Sequence, residues 1–325
     1  MPLDFEKPVM AIETKIDELV AMSQGTGIDF DAEIERLRLQ AQQLRSKLYE
    51  QLTPAQRLQI ARHPQRPNFT DFVKLLSPGC WFELHGDRAG HDDRALLGGL
   101  AELNGRPVML MGQQKGHGMK ENLTHNFGMA NPEGYRKALR LLQHAEKFKL
   151  PVITFIDTPG AYPGIHGEQQ GIGQAIALNI REMGRLTVPV LSVVTGEGSS
   201  GGALGIGVAN KIVMLSNAVY TVISPEGCAS ILWRKAEFAA QAAEAMRITA
   251  PDLMQFGIAD AIVHEPQGGA HYNPEKTAED LKNTLLSLLA ELDAMSPEAR
   301  REQRYAKYRF IGAYESSPAP VPAIA

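Results

Sequence analysis

Cysteine is nearly absent. Cys80 and Cys228 are the whole complement, too few for a disulfide scaffold or a four-cysteine zinc site, and a reducing compartment, the cytoplasm, is expected. No uninterrupted apolar run approaches the roughly 20 residues that span a bilayer. The opening Met1-Pro-Leu-Asp-Phe-Glu-Lys lacks a basic region followed by an apolar stretch, so no secretory signal is expected. Neither sign of charge dominates: Lys+Arg 33 stand against Asp+Glu 37, a net charge of −4. That balance gives no support to diffuse attraction for nucleic acid or anionic lipid. His85, His91, His117, His125 and His166 are scattered without metal-ligand spacing, so no metal site is expected. What is present is 44% hydrophobic residue in 325, enough to fill the core of one large domain or two ordinary ones.

Three segments differ in texture. In residues 1–52, Ile12, Ile16, Leu19 and Val20 share one helical face. After a break at Gly25-Thr-Gly27, Ile34, Leu37, Ala41, Leu44 and Leu48 alternate steps of three and four. So narrow a seam suits another helix or subunit, or the helix's own domain. Residues 53–295 open on Thr53-Pro54-Ala55-Gln56, a helix start, and then show short apolar runs separated by glycine. Leu96–Leu103, Asn104-Gly105 and Val108–Met111 form a hairpin pattern. A helix is expected from Asn131-Pro132 to about Lys149, with Ala138, Leu141, Leu142, Ala145 and Phe148 inward. Val152–Ile156 reads as a buried strand. A helix from about Glu168 to Arg185 follows, with Ile172, Ile176, Ile180 and Met183 on one side. Then come a strand at Val190–Thr195, a glycine turn at Gly196–Gly202, a helix at Ala203–Ala209, and strands at Ile212–Leu215 and Tyr220–Ile223. This is an α/β layout with parallel strands. Residues 296–325 hold a helix opened by Ser296-Pro297-Glu298 and a Pro-rich tail from Ser316, expected to be disordered.

Ligands in such sheets sit where strands end and helices begin, here at Asp157–Gly164 and Gly196–Gly202. The second glycine loop admits three readings. Gly196-x-Gly198-x-x-Gly201 has the dinucleotide spacing, but Glu226, the acidic residue near the required distance, follows two short strands. Gly198-x-Ser200-x-Gly202 has the nucleophile-elbow spacing, with Asp260 and His264 in the required order. The third reading uses backbone: at a helix start, Gly201 and Gly202 offer bare N–H groups to a developing oxyanion. The turn Gly160-Ala161-Tyr162-Pro163-Gly164 offers a second cradle, with Gly164 at its end. The backbone reading is favoured, because both glycine clusters fall at strand ends; Gly160, Ala161, Tyr162, Gly198, Ser199 and Ser200 are then candidate substrate-binding positions. Arg136, Lys137 and Arg140 read as a solvated helix face. Asp92-Asp93 and Glu83 read as polar loop residues, Met109 and Met111 as core, and Cys228 as a buried structural thiol.

Several long motifs occur in order: Phe82-Glu-Leu-His-Gly-Asp-Arg88, Gly98-Gly99-Leu, Asn126-Phe-Gly-Met129 with Pro132-Glu-Gly-Tyr-Arg-Lys-Ala-Leu-Arg140, Thr154-Phe-Ile-Asp-Thr-Pro-Gly-Ala-Tyr-Pro-Gly164, Gly196-Glu-Gly-Ser-Ser-Gly-Gly-Ala-Leu204 and Val222-Ile-Ser-Pro-Glu-Gly-Cys-Ala-Ser-Ile-Leu-Trp233, with Ile248–Leu253 and Gly268–His271 beyond. By these the chain resembles the alpha-subunit family of the bacterial-type acetyl-CoA carboxylase carboxyltransferase. The resemblance implies a crotonase-like spiral of ββα units with an N-terminal helical extension. It also implies transfer of a carboxyl group from carboxybiotin, borne by biotin carboxyl carrier protein, to acetyl-CoA, giving malonyl-CoA, the committed step of fatty-acid synthesis. Carboxybiotin and acetyl-CoA are then substrates, and no cofactor is bound covalently by this chain. The implied partners are a beta subunit, in a heterotetramer of two alpha and two beta chains, the carrier protein, and biotin carboxylase within the larger complex. The family's zinc belongs to the beta subunit. Gly201 and Gly202 are implied to face carboxybiotin. His117-Gly-Met119, His166-Gly167, Gln169-Gln170 and Ser199 depart from the usual family residues with spacing preserved. The rival readings are a self-sufficient acyl-CoA hydratase, isomerase or hydrolase on the same fold, and a non-catalytic scaffold.

Overall fold

The computed structural model describes residues 3–26 and 29–312. Gly27 of the expected break and the tail from Ser316 lie outside the described residues. The N-terminal seam is used within the chain. Helices α1 (Lys7–Thr26) and α2 (Asp31–Glu50) close a small core of Ile16, Ile34 and Leu37, flanked by Ile12, Leu19, Val20 and Phe30. Polar ties hold this pair to the body: Gln267 Nε2 donates to Ser46 Oγ at 2.9 Å, and the Arg45 guanidinium lies 5.4 Å from the Tyr272 ring centre. Helix α3 (Pro54–Ala61) starts on a reciprocal cap. The Gln56 amide donates to Thr53 Oγ1 at 3.2 Å, and the Thr53 amide to Gln56 Oε1 at 2.8 Å. Helix α4 is Phe69–Leu76.

Strands β1 (Trp81–Glu83), β2 (Leu96–Leu103) and β3 (Arg106–Gln113) pair antiparallel. Asn104 and Gly105, at φ +52° and +78°, make the tight β2–β3 turn that their sequence predicts. After α5 (Met119–Thr124) and α6 (Pro132–Phe148) the sheet turns parallel. Strand β4 (Val152–Thr158) lies beside β3, and β5 (Val190–Ser199) beside β4. Both strands are buried throughout, which is why they read as continuous apolar runs rather than alternating ones. Helices α7 (Ile165–Gln169) and α8 (Ile172–Arg185) separate them, and α9 (Ser200–Leu204) follows.

On its edge away from β4, strand β5 serves two partners. Its Leu191–Val194 half pairs with β6 (Lys211–Leu215) and its Glu197–Ser199 half with β7 (Val219–Thr221). The chain thus steps from one half of β5 to the other before entering α10 (Pro225–Trp233), one strand–strand–helix unit. At the step the β4–β5 register shifts between Ile156 and Thr158. Helices α11 (Ala239–Met246) and α12 (Ala250–Gln255), edge strand β8 (Ala261–Val263) beside β6, and helices α13 (Pro274–Asp293) and α14 (Pro297–Phe310) complete the order. One continuous core runs from Phe69 to Leu292.

Several sequence expectations are corrected. The single helix from Glu168 is two, because Gly171 turns left-handed at φ +77°. On α8 the fully buried positions are Ala175, Asn179 and Met183, whereas Ile180 is exposed. Phe148, the last residue of α6, points outward at 61% exposure. Gly196 and Gly198 continue β5 instead of forming a turn, and the helix expected at Ala203–Ala209 stops at Leu204. Cys228 is half-buried.

Nor are Lys137 and Arg140 a solvated face; both are buried. Lys137 Nζ meets Asp92 Oδ1 at 2.5 Å and the Asp93 carbonyl at 2.7 Å. Arg140 donates to the carbonyls of His85 and Gly86 at 3.0 and 3.1 Å. Together they draw the 84–95 segment onto α6. Burial pushes the Asp93 carboxyl up to about 6, although the amides of Ala95 and Asn131 donate to it. Its folded pKa lies above the unfolded value near 3.8. The stability it contributes is therefore complete below that value and lost as pH rises through about 6. Between pH of roughly 4 and 6, wild-type stability should decline relative to Asp93→Asn, whose side chain does not titrate. Parallel stability curves in denaturant titrations across that window would refute this.

Candidate active site

Two chain reversals at neighbouring strand ends build the site. Strand β5 runs into α9 through Ser200, which is exposed and held at φ +57°, a sparsely populated conformation for a residue with a side chain. The turn leaves the amides of Gly201 and Gly202 without a hydrogen bond to any described residue. Their direction is nonetheless set. The Gly205 amide donates to the Gly201 carbonyl at 2.9 Å, so the N–H on the far side of that trans peptide, the one belonging to Gly202, has a fixed aim. Asn179 Nδ2 donates to the Gly205 carbonyl at 2.9 Å, bracing the end of α9 from α8.

The loop after β4 is clamped in the same way. Thr158 Oγ1 accepts the Gly160 amide at 3.1 Å and donates to the Gly160 carbonyl at 2.7 Å. That carbonyl belongs to the peptide carrying the Ala161 N–H, which also makes no hydrogen bond to a described residue. Gly160 has φ +151°, open to glycine. The Tyr162 amide donates to the Ala130 carbonyl at 3.0 Å and ends the turn. The two loops touch: a Cβ on Gly202 would lie 2.4 Å from Gly160 C and 2.5 Å from Ala161 N. Glycine at 202 is therefore what lets the 160–161 peptide lie flat against α9. A Cβ on Gly201 would meet nothing nearer than Ile176 Cδ1 at 3.5 Å. Gly164 begins α7, and the ring of Tyr162 covers its Cα, 2.5 Å from where a Cβ would stand.

Gly201 and Ser200 border a cleft of about 410 Å³ with largely apolar walls. Tyr220, Val222, Leu253 of α12, Ile258, Tyr308 of α14 and Ile311 line it too. Gly202 lies behind Gly201 and is buried. The Tyr308 hydroxyl donates to the Gly207 carbonyl at 3.0 Å and accepts the Ala209 amide at 2.8 Å. Burial pushes its pKa up to about 12, against the opposing Ala209 hydrogen bond, so it stays a neutral donor.

The rival readings of the glycine segment lose their geometry. Asp260 accepts the Ile212 amide at 2.7 Å and pairs with Lys307, while His264 borders a different cavity with Ser46 and Arg57. Neither lines the cleft beside Ser200, so neither stands as a base at the elbow. Gly196 and Gly198 are packing glycines inside a strand: a Cβ would lie 2.4 Å from the Asp157 carboxylate and 2.9 Å from the Tyr220 ring. Glu226 pairs with Arg62 at 2.7 Å. Ser199 is buried, and its Oγ has no partner among the described residues. His117 Nε2 lies 2.7 Å from Asp71 Oδ2, away from the cleft. Among the described residues no cluster of three or more His, Cys, Asp or Glu could hold a metal ion, and no helix is long and apolar enough to cross a membrane. Sequence reasoning missed Gln113, Tyr135, Thr158 and Asn179. Their only signal was polarity at the end of, or within, an otherwise apolar run.

The mixed sheet with its strand–strand–helix step at β6, β7 and α10 is a crotonase-like fold, one it shares with solved carboxyltransferases. Transcarboxylase 12S, in its structure with methylmalonyl-coenzyme A and methylmalonic acid, matches with a TM-score of 0.56 at 20% identity, over 69% of this chain and 41% of that one. A Pseudomonas malonate decarboxylase hetero-tetramer in complex with coenzyme A matches with a TM-score of 0.58 at 19% identity, over 73% and 94%. Residues 2–312 match the family described as acetyl co-enzyme A carboxylase carboxyltransferase-like, and the chain belongs to that family. It is a carboxyltransferase. The acetyl-coenzyme A carboxylase carboxyl transferase subunit alpha of Synechococcus elongatus is 53% identical over 315 residues, covering 97% of this chain and 96% of its own length. The same subunit of Thermosynechococcus vestitus is 52% identical over 312 residues, 96% of each.

Proposed function

We propose that this chain is the alpha half of an acetyl-CoA carboxylase carboxyltransferase, working in the cytoplasm at a site completed by a beta subunit. It accepts carboxybiotin on biotin carboxyl carrier protein and, with that partner, carboxylates acetyl-CoA to malonyl-CoA, with biotin carboxylase recharging the carrier. Loss of CO₂ from carboxybiotin leaves negative charge on the ureido oxygen. Removal of a methyl proton from the thioester, for which the ureido anion itself is a base, leaves an enolate oxygen. Attack of the enolate carbon on CO₂ closes the cycle. Each anion requires fixed N–H donors, and neither requires a covalent link to the enzyme.

The observation that carries this reading is the pair of clamped peptides, 160–161 and 201–202, whose N–H groups have no acceptor among the described residues. Removing one such donor costs on the order of 10²–10³ in kcat in other enzymes. The apolar cleft beside Gly201 suits the hydrocarbon part of biotin, and an acetyl group alone would fill little of its 410 Å³. In this reading Gly201, Gly202 and Ala161 supply amides. Gly160 takes the positive φ of its turn and Gly198 leaves room for the Tyr220 ring, Ser199 and Ser200 shape the turn, and Tyr162 and Gly164 form the outer rim. Residues 1–52 are an appended helical unit and 53–295 the catalytic domain, with the helix of 296–325 walling its cleft.

The test mixes the full chain with a candidate beta subunit, carboxylated carrier protein and acetyl-CoA. Malonyl-CoA should form only when every component is present. Product without the beta subunit, or turnover of an acyl-CoA by the chain alone, would overturn the shared-site reading in favour of a self-sufficient acyl-CoA enzyme.

A further inference from the structure

Helix α9 is so short that it leaves one of its own carbonyls stranded. The Ile206 amide, which would bond Gly202 in a longer helix, turns instead to Ala203 at 3.3 Å. A second gap opens in β4, where the ladder with β3 ends at Gly112 and Phe155 and leaves the Asp157 amide beyond its last rung. Both groups are buried, where a backbone group without a partner is strongly unfavourable. One side chain closes both gaps. Gln113, at the end of β3 and 1% exposed, accepts the Asp157 amide on Oε1 at 3.2 Å and donates from Nε2 to the Gly202 carbonyl at 3.0 Å. Tyr135 of α6, fully buried, adds its hydroxyl to the same carbonyl at 3.2 Å. Burial pushes this phenol's pKa up, so it remains a donor.

We infer that Gln113 is a positioning residue for catalysis: its carboxamide ties strand β4 to helix α9 and thereby sets the spacing of the Ala161 and Gly202 amides, with Tyr135 as its second. The inference rests on the amide reading proposed above. Gln113 touches neither substrate cleft wall nor reacting atoms. It acts through the Gly202 carbonyl, whose position fixes the turn, and through β4, whose end carries the Thr158 clamp on Gly160. A side chain that merely filled space would need no donor at one end and acceptor at the other. A Glu in its place separates the two functions. Its carboxylate still accepts from Asp157, but faces the Gly202 carbonyl with oxygen against oxygen. Only the protonated acid restores the donor, and burial raises such a carboxyl's pKa toward neutrality.

The experiment uses the full chain assembled with its beta subunit and measures malonyl-CoA formation. Gln113→Glu should lose about 10- to 100-fold in kcat near pH 8, the scale of a small misplacement. It should recover most of that loss toward pH 6, and wild type should show no such acidic gain. KM for both substrates should stay within about twofold, because the interaction acts on the transition state. Tyr135→Phe, which removes one oxygen and no volume, should lower kcat about 3- to 10-fold with KM unchanged. It stands as the independent test should the Glu variant not fold. Variants that fold and match wild type in kcat at every pH would overturn the inference, as would a loss that only tracks the unfolded fraction. If wild type with its partner makes no malonyl-CoA, the proposed function fails instead.

Discussion

Gly202→Ala is expected to abolish turnover, lowering kcat on the order of 10³-fold, while the chain still folds. The added methyl would stand 2.4 Å from Gly160 C and 2.5 Å from Ala161 N, a clash with backbone that no side-chain rotation relieves. The loop after β4 must move off α9, and the separation of two amide donors changes at once. Loss of one such donor is worth about 10²–10³ in rate, and overpacking adds a stability cost of about 1–3 kcal/mol. Gly201→Ala is the control, since its methyl would make only an ordinary contact with Ile176 at 3.5 Å. Its stability should stay within about 0.5 kcal/mol of wild type, and its loss of kcat should be far smaller. Thermal melts and steady-state rates of both variants, assembled with the beta subunit, decide the matter. A Gly202→Ala enzyme with wild-type kcat would remove the amides from the mechanism.

Arg304→Met is expected to give the largest loss of stability. Arg304 is fully buried on α14. It donates to the carbonyls of Met183, Leu186 and Val188 at 2.7, 2.8 and 3.2 Å, and to Asn210 Oδ1 at 2.5 Å. Burial pulls its pKa down to about 10, so it is still charged at neutral pH. Methionine fills much of the volume but withdraws every donor. Leaving buried acceptors without their donor costs about 1–3 kcal/mol apiece, and a loss of several kcal/mol lowers the melting temperature by roughly 5–15 °C. Because α14 carries Tyr308 into the cleft wall, carboxyl transfer should weaken together with the melt. An unchanged melting temperature would show that α14 is held by its apolar contacts alone.

Much of the fold was legible because local chemistry and tertiary need agree. The Thr53–Gln56 cap, the Asn104–Gly105 turn and the buried runs at Val152 and Val190 each state their own structure. The glycine pair at 201–202 was legible as the place where a strand hands over to a helix, because glycine there frees the backbone for close approach. The misreadings share one cause: a local pattern overridden by a distant partner. Lys137 and Arg140 look like surface residues until the 84–95 segment folds back to accept their donors. Ile180 looks buried until Asn179, needed to hold the Gly205 carbonyl, takes the inward position. Gly196 and Gly198 look like a loop because glycine permits turns, yet here it permits Asp157 and Tyr220 to press against a strand.

By itself, then, the sequence determined the strand-and-helix order, the family and the place where strands hand over to helices, since periodicity, caps and glycines are local quantities. Which amides stay unpaired, and how far apart two loops hold them, was decided only in the tertiary structure. Those distances come from contacts between residues some 40 to 90 positions apart, such as Gln113 with Gly202 (89 apart) and with Asp157 (44 apart). No local pattern encodes a separation of that kind.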